Sequence, residues 1–270
     1  MSKPIDTLSA HDRTDLQHAH ALLENPSIAA KLSNVIGAPV EQSMKILPDK
    51  WSRRIHSVTA ISIDKALDVA VESIPKRPQR ILPHKFYTGA AISIGAASGF
   101  IGLPALAFEL PLTTTLLLRA IADIALQEGE ALDSLESRLA CMEVFALGGI
   151  SPDDDSAETG YYGTRVALSM TLNQAVQYIS THGLSQRGAP VLVNFVSAVA
   201  SRFGVAISQK TALQLLPVAG ALGGATINGL FMEHFKSMAH GHFTLRRLER
   251  KYGEALVRKE YIDLVNPAPY

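Results

Sequence analysis

One cysteine, Cys141, in 270 residues leaves no partner for an internal disulfide, which excludes a disulfide-stapled scaffold. Charge of one sign is also missing. Lys plus Arg and Asp plus Glu each total 25, so the formal net charge is zero and no global field favours nucleic acid. Alternating runs of β-branched residues are nearly absent, which argues against a sandwich or barrel. G-x-S-x-G, P-loop and G-x-G-x-x-G patterns do not occur, so the phosphate cradles and the nucleophile elbow they encode have no basis here. The opening stretch "MSKPIDTLSAHDRTDLQHAH" has no apolar centre of the signal-peptide kind, and the expectation is a protein of the cytoplasm or of the cytoplasmic face of the inner membrane.

What remains is helical periodicity almost without interruption. In "ENPSIAAKLSNVIGAP", Asn25 can cap, Pro26 suits the first turn, Ile28, Leu32, Val35 and Ile36 repeat at helical spacing, and Gly37 supplies a stop. The pattern predicts an all-α fold, a multi-helix bundle with a glycine-rich apolar helical hairpin. A single domain is expected over 14–262, with tails at 1–13 and 263–270. Cys141 lies in "RLACMEVFAL", which reads as a buried helix preceded by Asp133 and Glu136 at capping spacing and followed by a Gly148-Gly149 stop. Trp51 reads as a packing anchor at the start of another long helix.

Two stretches are greasier than the rest. Phe86 to Leu118 carries one charge in 33 residues, Glu109, and is longer than the roughly 20 residues that span a bilayer as a helix. Gly99, Gly102 and Pro104 interrupt its middle and Pro111 breaks it again, so a hairpin or re-entrant turn is expected rather than one straight span. Thr211 to Met232 is the second run, with no charge in 22 residues. Gly95 with Gly99, and Gly220 with Gly224, form small-residue pairs at the spacing that lets helices approach closely, in membranes or in soluble cores. Lys76, Arg77, Arg80 and Lys85 flank the first run, and Arg246, Arg247, Arg250 and Lys251 follow the second. Such flanks read either as solvated faces or as attractors of anionic headgroups.

Few ionisable groups interrupt these stretches. Glu109 should have a raised pKa or a partner, and Arg119 is the expected partner across the Pro111 break. Thr115, Arg119, Asp123 and Gln127, each four apart, make one polar stripe on an otherwise apolar cylinder. His234, His240 and His242 cluster near Glu233, but His240 and His242 diverge on a helix and no carboxylate sits at ligand spacing. No metal site and no cofactor is therefore expected. "SIDK" at Ser62–Lys65 is an accidental S-x-x-K match, and Asp153–Asp155 lack the glycine and distal glutamate of a calcium loop.

The blocks "GLPALAFELPLTTTLLLRAIADIALQEGE" and "LPVAGALGGATINGLFMEHFKSMAHGHFTLRRLERKYG", with the upstream "LPDKWSRRI", resemble the EcsC family of bacterial proteins over about Leu16 to Gly253. The resemblance implies a helical protein named after the third component encoded beside an ABC exporter, with no established activity and no catalytic residue to carry over. A peptidase label is attached to some similar sequences, without a nucleophile, base or metal set here to support it.

Three readings follow. The first is a non-enzymatic, membrane-associated accessory protein of transport or export, partnered by membrane lipid or a membrane protein, with Glu109, Arg119 and Asp123 ordering the junction. The second is a soluble or peripheral all-α hydrolase in which Glu109 and the His234/His240/His242 region line a cleft. The third is an oligomerising scaffold, a homo-oligomer packed through its glycines. Nucleic acid is not expected as a partner.

Overall fold

The computed structural model describes the backbone of all residues except 1–6, 25–27, 37–43, 46, 75–80, 150–159, 185–187, 215–219 and 266–270. Ten α-helices and no strand occur among the described residues, so the chain is all-α. They are α1 (Ala10–Leu23), α2 (Ile28–Ile36), α3 (Asp49–Asp68), α4 (His84–Ile101), α5 (Leu106–Gln127), α6 (Leu135–Leu147), α7 (Tyr161–His182), α8 (Pro190–Gln214), α9 (Gly220–Tyr252) and α10 (Glu254–Val265). The expected caps at Asn25 and Pro26, the stop at Gly37, the flank Lys76, Arg77 and Arg80, and Asp153–Asp155 lie outside the described residues.

The axis of the bundle is α9, 33 residues or about 50 Å long, against which α1, α2, α4, α5, α6, α8 and α10 all pack. Its apolar side supplies Phe231 and Phe235, which join Phe145 of α6 and Phe203 of α8 in a cluster with ring centroids 4.9 to 6.1 Å apart. Around that cluster α6 is buried on nearly every side from Leu139 to Leu147, Glu143 included. Cys141 is part of this wall, a free and buried thiol whose pKa burial pushes far up, so it is inert packing. Ser134, not Asp133, caps α6, and Asp133 turns its Oδ1 onto the Ser134 N–H instead.

The first apolar run folds as a helical hairpin. α4 ends at Gly102, whose φ of 76° is a left-handed backbone that glycine adopts without strain, and a 3₁₀ turn over Leu103–Ala105 leads into α5. At the other end of the hairpin, Asp123 of α5 accepts from the Tyr87 hydroxyl and from the Leu82 N–H. That tie fixes α4 antiparallel to α5.

One expectation changes here. α5 starts at Leu106 rather than Pro111; the ring sits inside the helix, and the carbonyl it leaves without a donor belongs to the exposed residue Ala107. Of the second apolar run, Thr211 to Gln214 belong to α8 and Gly220 to Met232 to α9, and 215–219 lie outside the described residues.

Candidate functional site

Close approach of α4 to α9 depends on glycine. A Cβ added to Gly95 would lie 2.3 Å from the Gly224 carbonyl oxygen, and one added to Gly224 would lie 2.3 Å from that of Gly95 and 3.2 Å from the Gly99 Cα. Gly95, Gly99 and Gly224 are thus spent within one chain, while Gly220 is the first residue of α9. A second copy packed through Gly95, Gly99 or Gly224 would therefore have to separate α4 from α9 first.

Beside that crossing lies a buried ion pair. Lys210 of α8 places Nζ 2.6 Å from Glu109 Oε1, with side chains 1% and 3% exposed. Burial would raise the Glu109 pKa, but the charge and hydrogen bond of Lys210, with the polar side chains of Ser98 and Asn228 nearby, carry it below the ordinary value. The Lys210 ammonium also stands 5.1 Å from the Phe231 ring centroid. Lys210, not Arg119, is therefore the partner of Glu109. Arg119 is ten positions along α5 from Glu109, about 15 Å, and donates from Nη2 to Ser73 Oγ at 2.7 Å.

Ser73 ends a π-helical turn, Val69–Ser73, that terminates α3. Arg138 of α6 donates to its Val71 carbonyl at 3.2 Å. The stripe on α5 therefore acts as cement: Arg119 grips α3 and Asp123 grips α4. No sequence period announces a π turn, which is why Ser73 and Arg138 were invisible there.

The histidines part company. His234 is buried with Nε2 3.0 Å from the Gly148 carbonyl, and burial lowers its pKa to about 4. His240 is half-buried. His242 is fully buried, its Nδ1 2.9 Å from the Tyr161 hydroxyl and its Nε2 3.8 Å from Glu143 Oε2. Arg165 approaches the same Tyr161 oxygen at 3.5 Å and pairs with Glu249 at 2.6 Å, while Tyr162 donates to Glu249 at 3.0 Å. Burial pushes the Glu143 carboxyl up to about 7 and holds His242 well below its usual range, so His242 is a neutral imidazole at neutral pH and Glu143 gains its proton as pH falls through about 7.

Glu109 does not meet these groups. Asn228, whose side chain lies near the Glu109 carboxylate, is 14 residues before His242 on α9, about 21 Å. Glu109 and His242 therefore do not line one cleft. Among the described residues no group of three or more His, Cys, Asp or Glu is arranged to hold a metal.

The basic end of α9 is consumed internally. Arg246 and Arg250 pair with Glu130, Arg247 with Asp15 at 2.8 Å and Glu128 at 2.9 Å, and Lys251 with Asp12 at 2.7 Å. Hydrogen bonds from Lys251, Ser9 and Tyr252 hold the Asp12 carboxyl far below the usual carboxylate range. These cations clamp α1 and the α5–α6 connection to α9, so the headgroup reading of that flank gives way to a structural one.

Apolar surface is left bare at the hairpin tip and, separately, on α7 at Val166 and Met170. The hairpin tip exposes Ile101 (65%), Phe108 (82%) and Leu112 (56%). Along the outer side of α4 the exposed positions from Phe86 to Gly102 are Phe86, Gly89, Ile92, Ser93, Ala97, Ile101 and Gly102, none of them charged. A groove of about 180 Å³ opens beside the tip, walled by Trp51, Ile55 and Val58 of α3, Leu103, Leu110 of α5 and Ile207 of α8. Two helical segments, Leu103–Gln127 and Pro190–Gln214, are long and apolar enough to cross a bilayer by length and composition, yet 61% and 56% of their apolar windows are buried in the protein.

Such a molecule is an all-α protein with a partly uncovered apolar hairpin. It belongs to the EcsC protein family, whose model matches residues 13–248. Comparison with curated proteins and with solved structures finds no match.

Proposed function

We propose that this protein is a membrane-associated helical accessory protein that docks on a bilayer through the tip of the α4–α5 hairpin. The observation that carries the reading is the uncharged, exposed set Ile101, Phe108 and Leu112 around a rigid Gly102 turn. Removing those side chains from water would gain hydrophobic free energy that the fold itself leaves unused. The fold instead spends its ion pairs and aromatic cluster elsewhere. Both long apolar helices are more than half covered, which favours a helix pair lying at the headgroup level over a span.

Exposed Lys50, Arg53 and Arg54 on the first turns of α3 border the same end and would meet anionic headgroups. The place of action is the cytoplasmic face of the inner membrane, beside the exporter that the family's naming suggests. Flotation of the purified protein with phosphatidylglycerol vesicles tests the docking step. Recovery wholly in the lipid-free fraction, together with a monomeric state without detergent, would defeat it.

A hydrolase reading would centre on Tyr161, His242 and Glu143, because His242 Nε2 is a buried atom without a hydrogen-bond partner. The groove among the described residues does not reach these side chains, so the docking reading is preferred.

A further inference from the structure

The groove beside the hairpin tip has a composition that selects its occupant. No carboxylate lines it; its walls are the faces of Trp51, Ile55, Val58, Leu103, Leu110 and Ile207, and the one charged lining residue is Arg54. Arg54 is exposed and holds its guanidinium carbon 5.2 Å from the Trp51 ring centroid, with exposed Lys50 and Arg53 on the same stretch of α3. Pro104 and Ala107 form an exposed lip, and Ala107 is followed directly by Phe108. An apolar slot therefore runs from a cationic rim to the edge of the surface that would meet lipid.

We infer that this groove takes six or seven carbons of one acyl chain of an anionic phospholipid, next to the headgroup held at Arg54. The inference deepens the membrane-docking reading and rests on it. Volume sets the depth of the fit. An apolar cavity of roughly 150 Å³ stays dry and admits a six-carbon ring, so about 180 Å³ holds six or seven carbons of a chain. A longer chain leaves the slot past Pro104 and Ala107. Charge sets the lipid class: Lys50, Arg53 and Arg54 give a neutral headgroup no advantage and an anionic one several favourable contacts.

Trp51 is the sole tryptophan in the chain and forms one wall, so its fluorescence reports the occupant directly. Two probes separate this inference from the docking reading. In the first, alkyl phosphates brominated near the chain end and kept monomeric are titrated into the full chain. Saturable quenching of Trp51 is expected, with affinity rising about fourfold per methylene up to about six carbons and flattening beyond. In the second, phosphatidylglycerol vesicles brominated on the acyl chains should quench Trp51 while phosphatidylcholine vesicles quench it weakly. Ala107→Leu fills the groove from an exposed position and should abolish quenching in both arms, while flotation with vesicles persists.

Arg54→Gln should weaken the alkyl phosphate about fivefold and leave its chain-length profile unchanged. Thermal melts of both variants confirm that the fold is intact. Flotation without quenching, or quenching that Ala107→Leu leaves untouched, overturns the acyl-chain inference and leaves docking standing. Lipid-independent self-association relieved by Ala107→Leu would mean that a second copy fills the groove, and overturns it too. Saturable quenching by the alkyl phosphate with no flotation would sink the docking reading instead, and with it the phospholipid as the source of the chain.

Discussion

Gly95 and Gly224 touch backbone to backbone: a Cβ on either would stand 2.3 Å from the carbonyl oxygen of the other. Neither atom in that contact is the loose end of a side chain, so the helices themselves must move apart to admit a methyl group. Gly224→Ala should therefore destabilise the fold by about 1–3 kcal/mol, and Gly224→Leu by more. Denaturant titration checks this, and the oligomeric state should not change. A Gly224→Ala variant as stable as the parent would mean that α4 and α9 are not in contact there.

The crossing shows what the sequence could and could not disclose. Small residues four apart announced a close helix approach, and Gly102 with Pro104 announced the turn, because both are properties of local backbone geometry. Partners across the fold were another matter. Lys210 lies 101 residues after Glu109, and nothing periodic links them, so the nearer Arg119 was chosen. The fate of Arg246, Arg247, Arg250 and Lys251 was hidden for the same reason: Asp12 and Asp15 sit on α1, far away in the chain. Glu143 and Tyr161 gave no signal at all, since a carboxylate in a buried helix is recognisable only once its neighbours are known.

The Glu109–Lys210 pair should behave as a unit. Lys210→Met removes the cation that pairs with a buried carboxylate and should cost about 3–5 kcal/mol. Lys210→Met combined with Glu109→Gln removes both charges and should cost clearly less than the sum of the single changes. Urea titrations of the four proteins give the coupling. Additive costs would show that the pair is solvated in solution.

Stability should respond to pH through buried groups of opposite sense, Glu143 on one side and His234 with His242 on the other. Glu143 has a folded pKa of about 7 against an ordinary 4.5, so the native state holds a proton the unfolded chain releases, and this stabilisation is lost as pH rises from 4.5 through 7. His234 has a folded pKa of about 4 against 6.5, so the unfolded chain binds the extra proton, and stability is lost as pH falls from 6.5 towards 4. The two slopes oppose one another between pH 4.5 and 6.5. Glu143→Gln should unmask the acid loss from His234 and His242 and raise stability at pH 8 by up to about 3 kcal/mol. A variant with the parent's profile from pH 4 to 8 would mean that Glu143 titrates as an ordinary carboxyl.

Phe108 separates function from folding most cleanly. With 82% of its surface exposed, it makes little contribution to the core, and Phe108→Ser should change stability by no more than about 0.5 kcal/mol. Transfer of a phenyl side chain from water into lipid is worth about 2 kcal/mol, or about thirtyfold in affinity. Vesicle flotation should therefore fall about thirtyfold in Phe108→Ser while its urea midpoint stays put. Ile262, also exposed but on α10, is the control, and Ile262→Ser should leave flotation unaltered. Equal losses at the two positions would mean that lipid is met by apolar surface in general, and the hairpin tip would lose its claim as the docking element.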